Sequence, residues 1–291
     1  MLTGPAVAVR SAIVDPERAP AKMLTASEST GAEDIFLYRP HYTGIAELSG
    51  ISDRHLLFVH VGLPVPAECR IGNAELNHCV ETGNITVIPA NTEWKAVVGE
   101  GAEGVVVAIP KTRLAVAAAQ SVGSAVIIEP ILRSKDPVLL SIIRDMTINY
   151  QSGRMDRGEW HAAVDELADH LAVSYSAPGA KQARGRLASE TMASINDYLE
   201  RRLDQSLTID DVADVAKQSR SNFPRVFRRT IGMSPHQYIM RLRLRRARRL
   251  MEQGCPLAEV AIATGFSDQS HLTNWLRRIY GTTPGRLFAH R

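Results

Sequence analysis

Residues 266–281, FSDQSHLTNWLRRIYG, gather Asp268, Gln269, Ser270 and His271 into what helical spacing makes a single first turn. Leu272, Trp275, Leu276 and Ile279 recur three or four apart and give one apolar face, while Arg277 and Arg278 fall in the last turn. Ser267 is placed to cap the start and Gly281 to stop the end. The chemistry on offer is recognition by hydrogen bonding, because amides and hydroxyls both donate and accept. An exposed helix start more often carries Glu and Lys, so the choice of short amide and hydroxyl groups points to a polar partner. Catalysis finds no comparable grouping: no nucleophile-and-base signature such as G-x-S-x-G occurs.

Metal chemistry is not favoured either. Cys69, Cys79 and Cys255 are an odd set without metal-type spacing and read as buried, inert thiols of a reducing, cytoplasmic setting. His55 and His60 stand too far apart for a His-x-His pair. With His41 and His78 they read as satisfied strand histidines or pocket edges. No cofactor, no metal and no catalytic residue is expected.

The stretch has a counterpart 49 residues upstream. SRSNFPRVFRRTIGMSP (219–235) aligns with DQSHLTNWLRRIYGTTP (268–284), pairing Phe223 with Leu272, Phe227 with Leu276, Gly232 with Gly281 and Pro235 with Pro284. At an offset of 48, IDDVADVAKQS (209–219) aligns with LAEVAIATGFS (257–267) and sets Ala213 against Ala261. Each unit reads as helix, tight turn, helix, with a small residue where the helices cross and Gly265 free to adopt positive φ. That is helix-turn-helix geometry, in which the second helix enters the DNA major groove by its N-terminal end. The polar first turn is the end that meets base edges.

Charge agrees with a polyanionic partner. Of 34 Lys and Arg and 31 Asp and Glu, 20 and 10 lie from Lys181 onward, a net of +10, against 14 and 21 and a net of −7 before it. Between the units, SPHQYIMRLRLRRARRLMEQG (234–254) reads as a spacer helix capped by Ser234. Six arginines, Arg241, Arg243, Arg245, Arg246, Arg248 and Arg249, are expected to decorate its outer surface, two of them on phosphate. About 28 Å of helix holds two reading helices roughly one DNA turn apart. No apolar run reaches the roughly 18 residues a membrane helix needs.

On GFSDQSHLTNWLRRIYGTTPGRL and RLRLRRARRLM, residues 187–291 are similar to the DNA-binding domain of the AraC/XylS family of bacterial transcription regulators. The resemblance implies base contacts from Ser221 and Arg225 in the first recognition helix, and from Gln269, Ser270 and Asn274 in the second. It implies phosphate contacts from Arg220, Arg228 and Thr273. Two departures stand out. Lys217-Gln218 occupies a turn where the family usually keeps Gly, which predicts a looser or differently shaped turn. Pro224 sits inside the first recognition helix, which predicts affinity more than specificity from that unit.

Upstream, IFLYR, HLLFVHV, ITVIPA, GVVVAIP and AVIIEP alternate with turn signals as in an antiparallel sandwich or barrel. TGNITVIPANTEW (82–94) resembles the second cupin motif through Gly83 and Pro89, but Trp94 stands where that motif has its histidine. The fold class expected is α+β in two domains: an N-terminal metal-less cupin-like β-barrel with a helical hairpin, and a C-terminal all-α tandem helix-turn-helix. The boundaries are a flexible tail at 1–30, the barrel at 31–130, the hairpin at 131–177, a linker at 178–186 and the DNA-binding domain at 187–291, with helix-turn-helix units at 209–230 and 257–280.

The function implied is a sequence-specific transcription regulator. The expected partners are double-stranded DNA, a small-molecule effector in the barrel, a second copy through the hairpin (set equally against a plain barrel cap), and RNA polymerase if the protein activates; no membrane partner is expected. A cupin-type enzyme fused to a nucleic-acid-binding module is the alternative. Specific binding is expected of a fragment beginning near residue 182.

Overall fold

The computed structural model describes residues 21–26, 35–123, 127–175 and 186–288. These divide into two compact units, each described by itself below. The first holds 21–26, 35–111 and 128–155; the second holds 112–123, 127, 156–175 and 186–288. The linker expected at 178–186 lies outside the described residues apart from Arg186.

The first unit is built on ten strands: β1 (Ala21–Ala26), β2 (Phe36–Tyr42), β3 (Ala46–Gly50), β4 (Arg54–His60), β5 (Val65–Ile71), β6 (Ala74–Val80), β7 (Ile85–Ile88), β8 (Trp94–Val98), β9 (Gly104–Pro110) and β10 (Ile131–Ser134). They form a six-stranded sheet, ordered β1-β2-β9-β4-β7-β10, and a four-stranded one, ordered β3-β8-β5-β6. All the pairings are antiparallel. Hydrogen bonding among the described residues gives two open sheets and does not close the cupin-like barrel expected. Alternation along the strands supplies one core, with Phe36, Tyr38, Leu48, Leu56, Ile71, Ile88, Trp94 and Val106 turned inward. β1 also corrects the expected tail, since Ala21–Ala26 pairs with β2.

The helices begin with α1 (Lys111–Ser121), inside the stretch expected to be barrel, followed by α2 (Pro137–Gln151) and α3 (Arg157–Ser174). Asp136 caps α2 at the Leu139 amide, and Asp156 with Glu159 forms a capping box on α3. These two helices do not make one hairpin unit: α2 belongs to the first compact unit and α3 to the second. The physical reason is on α3 itself, where Asp165 and Asp169 are ion-paired to Arg248 and Arg245 of the second unit.

The second unit continues with α4 (Ser189–Arg202), α5 (Ile209–Val215), α6 (Phe223–Ile231), α7 (Pro235–Glu252), α8 (Leu257–Ala263), α9 (Gln269–Tyr280) and α10 (Pro284–Leu287). Two apolar clusters fill it. One joins α1, α4, α5 and α6 around Ile195, Val212, Phe223 and Phe227; the other joins α8, α9 and α10 around Val260, Leu272 and Leu276. Helix α7 contributes to both, with Tyr238, Ile239 and Leu242 in the first and Met240, Leu244, Ala247 and Met251 in the second. A capping box of Ser234 and Gln237 starts α7, with Pro235 in its first turn. No described helix is long and apolar enough to cross a membrane.

Candidate nucleic-acid interface

The repeat read from the sequence folds as two helix pairs, α5–α6 and α8–α9. Its matched positions behave alike: Ala213 and Ala261 are buried, as are Phe223, Phe227, Leu272 and Leu276. Both turns enter the left-handed region at the aligned position, with φ 75° at Gly265 and 52° at Lys217. The first turn thus shares this backbone state with the second, in place of the looser one expected from the missing glycine, and bears the steric cost of a side chain at positive φ. At Gly265 no such substitution fits, because a Cβ would fall 2.2 Å from the Leu203 carbonyl oxygen.

Helix α9 is capped by Asp268 and not by Ser267. One Asp268 oxygen accepts from the His271 amide at 2.8 Å, while Ser267 Oγ donates to the other at 3.0 Å. The His271 amide and the Ser267 hydroxyl hold the Asp268 carboxyl below the usual carboxylate range. Trp275 Nε1 donates to His271 Nε2 at 3.1 Å, and His271 Nδ1 lies 3.1 Å from Ser267 Oγ. An indole N–H only donates, so Nε2 must be the bare nitrogen and Nδ1 the protonated one. Two of the four polar groups at the helix start, Asp268 and His271, therefore serve the cap.

Gln269, Ser270 and Asn274 remain. All three are exposed, and none of their side chains is hydrogen-bonded to another described residue. They occupy the solvent side of α9, opposite Leu272 and Leu276, which are wholly buried. Thr273 is half-buried and its hydroxyl donates to the Gln269 carbonyl at 2.8 Å. In that rotamer it has no proton for a phosphate, and contact requires giving up the bond. Arg277 and Arg278 are exposed farther along, with Arg278 over the Trp275 ring at 5.1 Å.

The first pair is arranged differently. Ser221 lies in the turn before α6 and not within the helix, exposed and 3.5 Å from Ser219 Oγ. Pro224 is the second residue of α6, where its missing amide would have had no helical partner, so the interior penalty does not apply. Arg225 donates to Asn222 Oδ1 at 2.9 Å, and Asn222 donates in turn to Gln218 Oε1 at 3.0 Å. This Gln218–Asn222–Arg225 chain was not anticipated from the sequence. Arg220 is ion-paired with Asp210 at 3.0 Å across the turn, while Arg228 is exposed.

The spacer helix departs most from expectation. Arg245 and Arg248 are buried, and Asp165 accepts from Arg248 at 3.0 Å with Arg245 Nε 3.4 Å away. Arg113 reaches the same carboxylate at 2.7 Å. Burial alone would raise the Asp165 carboxyl, but Arg113, Arg245 and Arg248 together hold it below the usual range. These two spacer arginines are not surface decoration, and phosphate cannot reach them as they stand.

The Helix-turn-helix domain family model matches residues 212–290. The described part of that span, 212–288, holds both turns and both second helices, α6 and α9. The chain is 38% identical, across 96 residues, to a Photobacterium leiognathi protein named "Probable transcriptional regulator LumQ", covering 33% of this chain and 39% of that protein. It is 33% identical over 131 residues to the HTH-type transcriptional regulator GlxA of Rhizobium meliloti, covering 44% and 38%. Among solved structures it is similar to an AraC-type transcriptional regulator from Chromobacterium violaceum, with 29% identity, 34% of this chain and 90% of that chain covered, and a TM-score of 0.33. The curated relatives are matched over less than half of their own length. The chain is also 34% identical over 105 residues to a Streptomyces antibioticus protein named "Putative AraC-like transcription regulator", covering 36% of this chain and 35% of that protein, in line with the resemblance read from the sequence.

The histidines of the first unit complete the comparison with expectation. His55 Nδ1 accepts from the Ala90 amide at 3.2 Å, and His60 Nε2 pairs with the Leu63 carbonyl at 2.7 Å, as satisfied strand histidines should. His78 is not satisfied, since neither ring nitrogen has a partner among the described residues. Cys79 is exposed and not buried.

Proposed function

We propose that the protein is a sequence-specific transcription regulator that reads double-stranded DNA mainly through α9, with the two-sheet unit sensing an uncharacterised small molecule or joining two copies. The observation that carries this reading is the state of Gln269, Ser270 and Asn274: three amide and hydroxyl side chains at the exposed start of a buried-faced helix, with their hydrogen-bonding capacity uncommitted. Such groups are matched to base edges in a major groove. The excess of basic residues from Lys181 onward supports phosphate binding around them.

On this reading the α6 turn contributes chiefly positioning, because Arg225 is held by Asn222 and Arg220 by Asp210. Gln269, Ser270 and Asn274 are the base-reading residues, with Ser221 and Arg225 secondary; Arg220, Arg228 and Thr273 face phosphate. Contact with RNA polymerase follows if the protein activates, and the setting is the cytoplasm.

The test is selection of duplexes from a random library by the full-length chain. The full chain is needed because a fragment from residue 182 would lack Asp165 and Arg113, which belong to the same compact unit as the helix-turn-helix domain. An enriched motif spanning one or two major-groove segments is expected. Recovery of no motif at low salt would refute specific readout.

A further inference from the structure

A cavity of about 100 Å³ lies between the two sheets of the first unit, lined by Tyr42, Phe58, Ile88, Trp94, Val98 and Val106 among others. Two further features of its wall bear on what it holds. Trp94 and Asn84 both line it and are each only 3% exposed, yet Trp94 Nε1 and Asn84 Nδ2 have no hydrogen-bond partner among the described residues. The Asn84 amide cannot simply be turned over, because its Oδ1 accepts from the Glu81 amide at 3.0 Å. The donors come from opposite walls: Asn84 immediately precedes β7 of the six-stranded sheet, and Trp94 opens β8 of the four-stranded one. A buried donor left unpaired is unfavourable until something accepts from it.

The remaining wall sets the character of the acceptor. It is largely aliphatic and aromatic, with Trp94 and Phe58 rings 5.4 Å apart. The charged side chains at its edge are already matched: Arg70 with Glu75 at 2.9 Å, Lys95 with Glu47, and Glu103 with Arg39. An anion entering this space would find two neutral donors and no uncommitted cation, and burying a charge so poorly paired is costly. The volume is somewhat below the roughly 150 Å³ of an apolar cavity that holds benzene.

We infer that the cavity binds an uncharged, mainly apolar molecule about one ring in size, whose carbonyl oxygen accepts from the Trp94 indole or the Asn84 amide. This rests on the sensing reading above and narrows it to a ligand class.

Cyclohexanone serves as the probe, with methylcyclohexane and cyclohexanecarboxylate as matched compounds lacking the acceptor or adding a charge. The full-length protein, labelled with ¹⁵N at tryptophan, is titrated while the three indole N–H resonances are followed. Saturable movement of the resonance absent from Trp94→Phe is expected with cyclohexanone, with weaker binding of the other two. Trp94→Phe, which keeps an aromatic ring, should bind cyclohexanone about tenfold more weakly by calorimetry. Tighter binding of the carboxylate, equal binding of methylcyclohexane, or no saturable binding of cyclohexanone would overturn the inference. None of those outcomes needs a variant. Saturable binding that leaves DNA affinity unchanged would keep the cavity assignment and remove the sensing role, so the two can fail separately.

Discussion

Asp165 on α3 accepts a hydrogen bond from Arg248 on α7 at 3.0 Å, across 83 residues of chain. With Arg113 at 2.7 Å and Arg245 at 3.4 Å, a single buried carboxylate faces three guanidinium groups. Asp169 and Glu252 pair with Arg245 and Arg248 and bring the cluster toward neutrality. Removing the central carboxylate strands those cations in a water-poor place. Asp165→Ala is therefore expected to destabilise the second unit by about 3–5 kcal/mol. Urea unfolding followed by circular dichroism measures it; a loss below about 1 kcal/mol, the value of exposed pairs, would mean water reaches the cluster.

Readout by α9 should be separable from readout by the α6 turn. Gln269→Ala and Asn274→Ala are each expected to cost about 1–3 kcal/mol on the selected duplex and little on a scrambled one. Ser221→Ala should discriminate less, since Ser221 precedes its helix. Arg228→Ala should weaken both duplexes alike. Binding titrations of the four variants decide this, and equal losses on both duplexes for Gln269→Ala and Asn274→Ala would reduce α9 to a positioning element.

The two turns make opposite forecasts for one kind of change. Lys217 holds φ 52° with a side chain, so Lys217→Gly should stabilise the chain by about 0.5–1 kcal/mol. Gly265→Ala should instead cost more than about 2 kcal/mol, because the new Cβ meets the Leu203 carbonyl as well as positive φ. Melting temperatures of the two variants give the signs directly. A neutral Gly265→Ala would require α4 and α8 to separate without cost.

Stability of the first unit should depend on pH through His55. Burial, and secondarily Lys111, push its pKa down to about 4. The unfolded imidazole titrates near 6.5, so between these values the unfolded chain takes up a proton that the folded one refuses. The contribution is full above about pH 6.5 and is lost as pH falls toward 4, amounting to about 3 kcal/mol. His55→Asn, which keeps an acceptor for the Ala90 amide, should flatten that slope in denaturation curves at stepped pH. An unchanged slope would assign the effect to other groups.

What could be read in advance divides along physical lines. The helix pairs were legible because Phe223, Phe227, Leu272 and Leu276 follow a helical period twice over, and burial enforces period. The cap at Asp268 was misplaced by one residue, since Ser267 and Asp268 are both competent caps and only the chain direction entering the helix chooses between them. Arg245 and Arg248 read as solvent-facing charge because the carboxylates that bury them, Asp165 and Asp169, lie on α3, far away in sequence. Asp165 and Asp169, one turn apart beside the buried Val164, Leu167 and Ala168, are the faint sign of it. The barrel is expected from alternating apolar runs and the cupin-like Gly83 and Pro89, but neither specifies which strand edges meet. The hydrogen-bond pattern leaves two open sheets.

The sharing of α7 between both apolar clusters has a geometric consequence. Inserting one residue into that helix would advance everything beyond it by about 1.5 Å and swing it by about 100°. Such a change would take Leu244 and Met251 out of their seats and drive arginines into them. Only additions of three, four or seven residues return the apolar side roughly to its place. The spacing between the α5–α6 and α8–α9 pairs is therefore quantised: it can lengthen in steps near a helical turn and not by single residues, much as a camshaft can be rebuilt with another lobe spacing but not slipped by a fraction of a tooth.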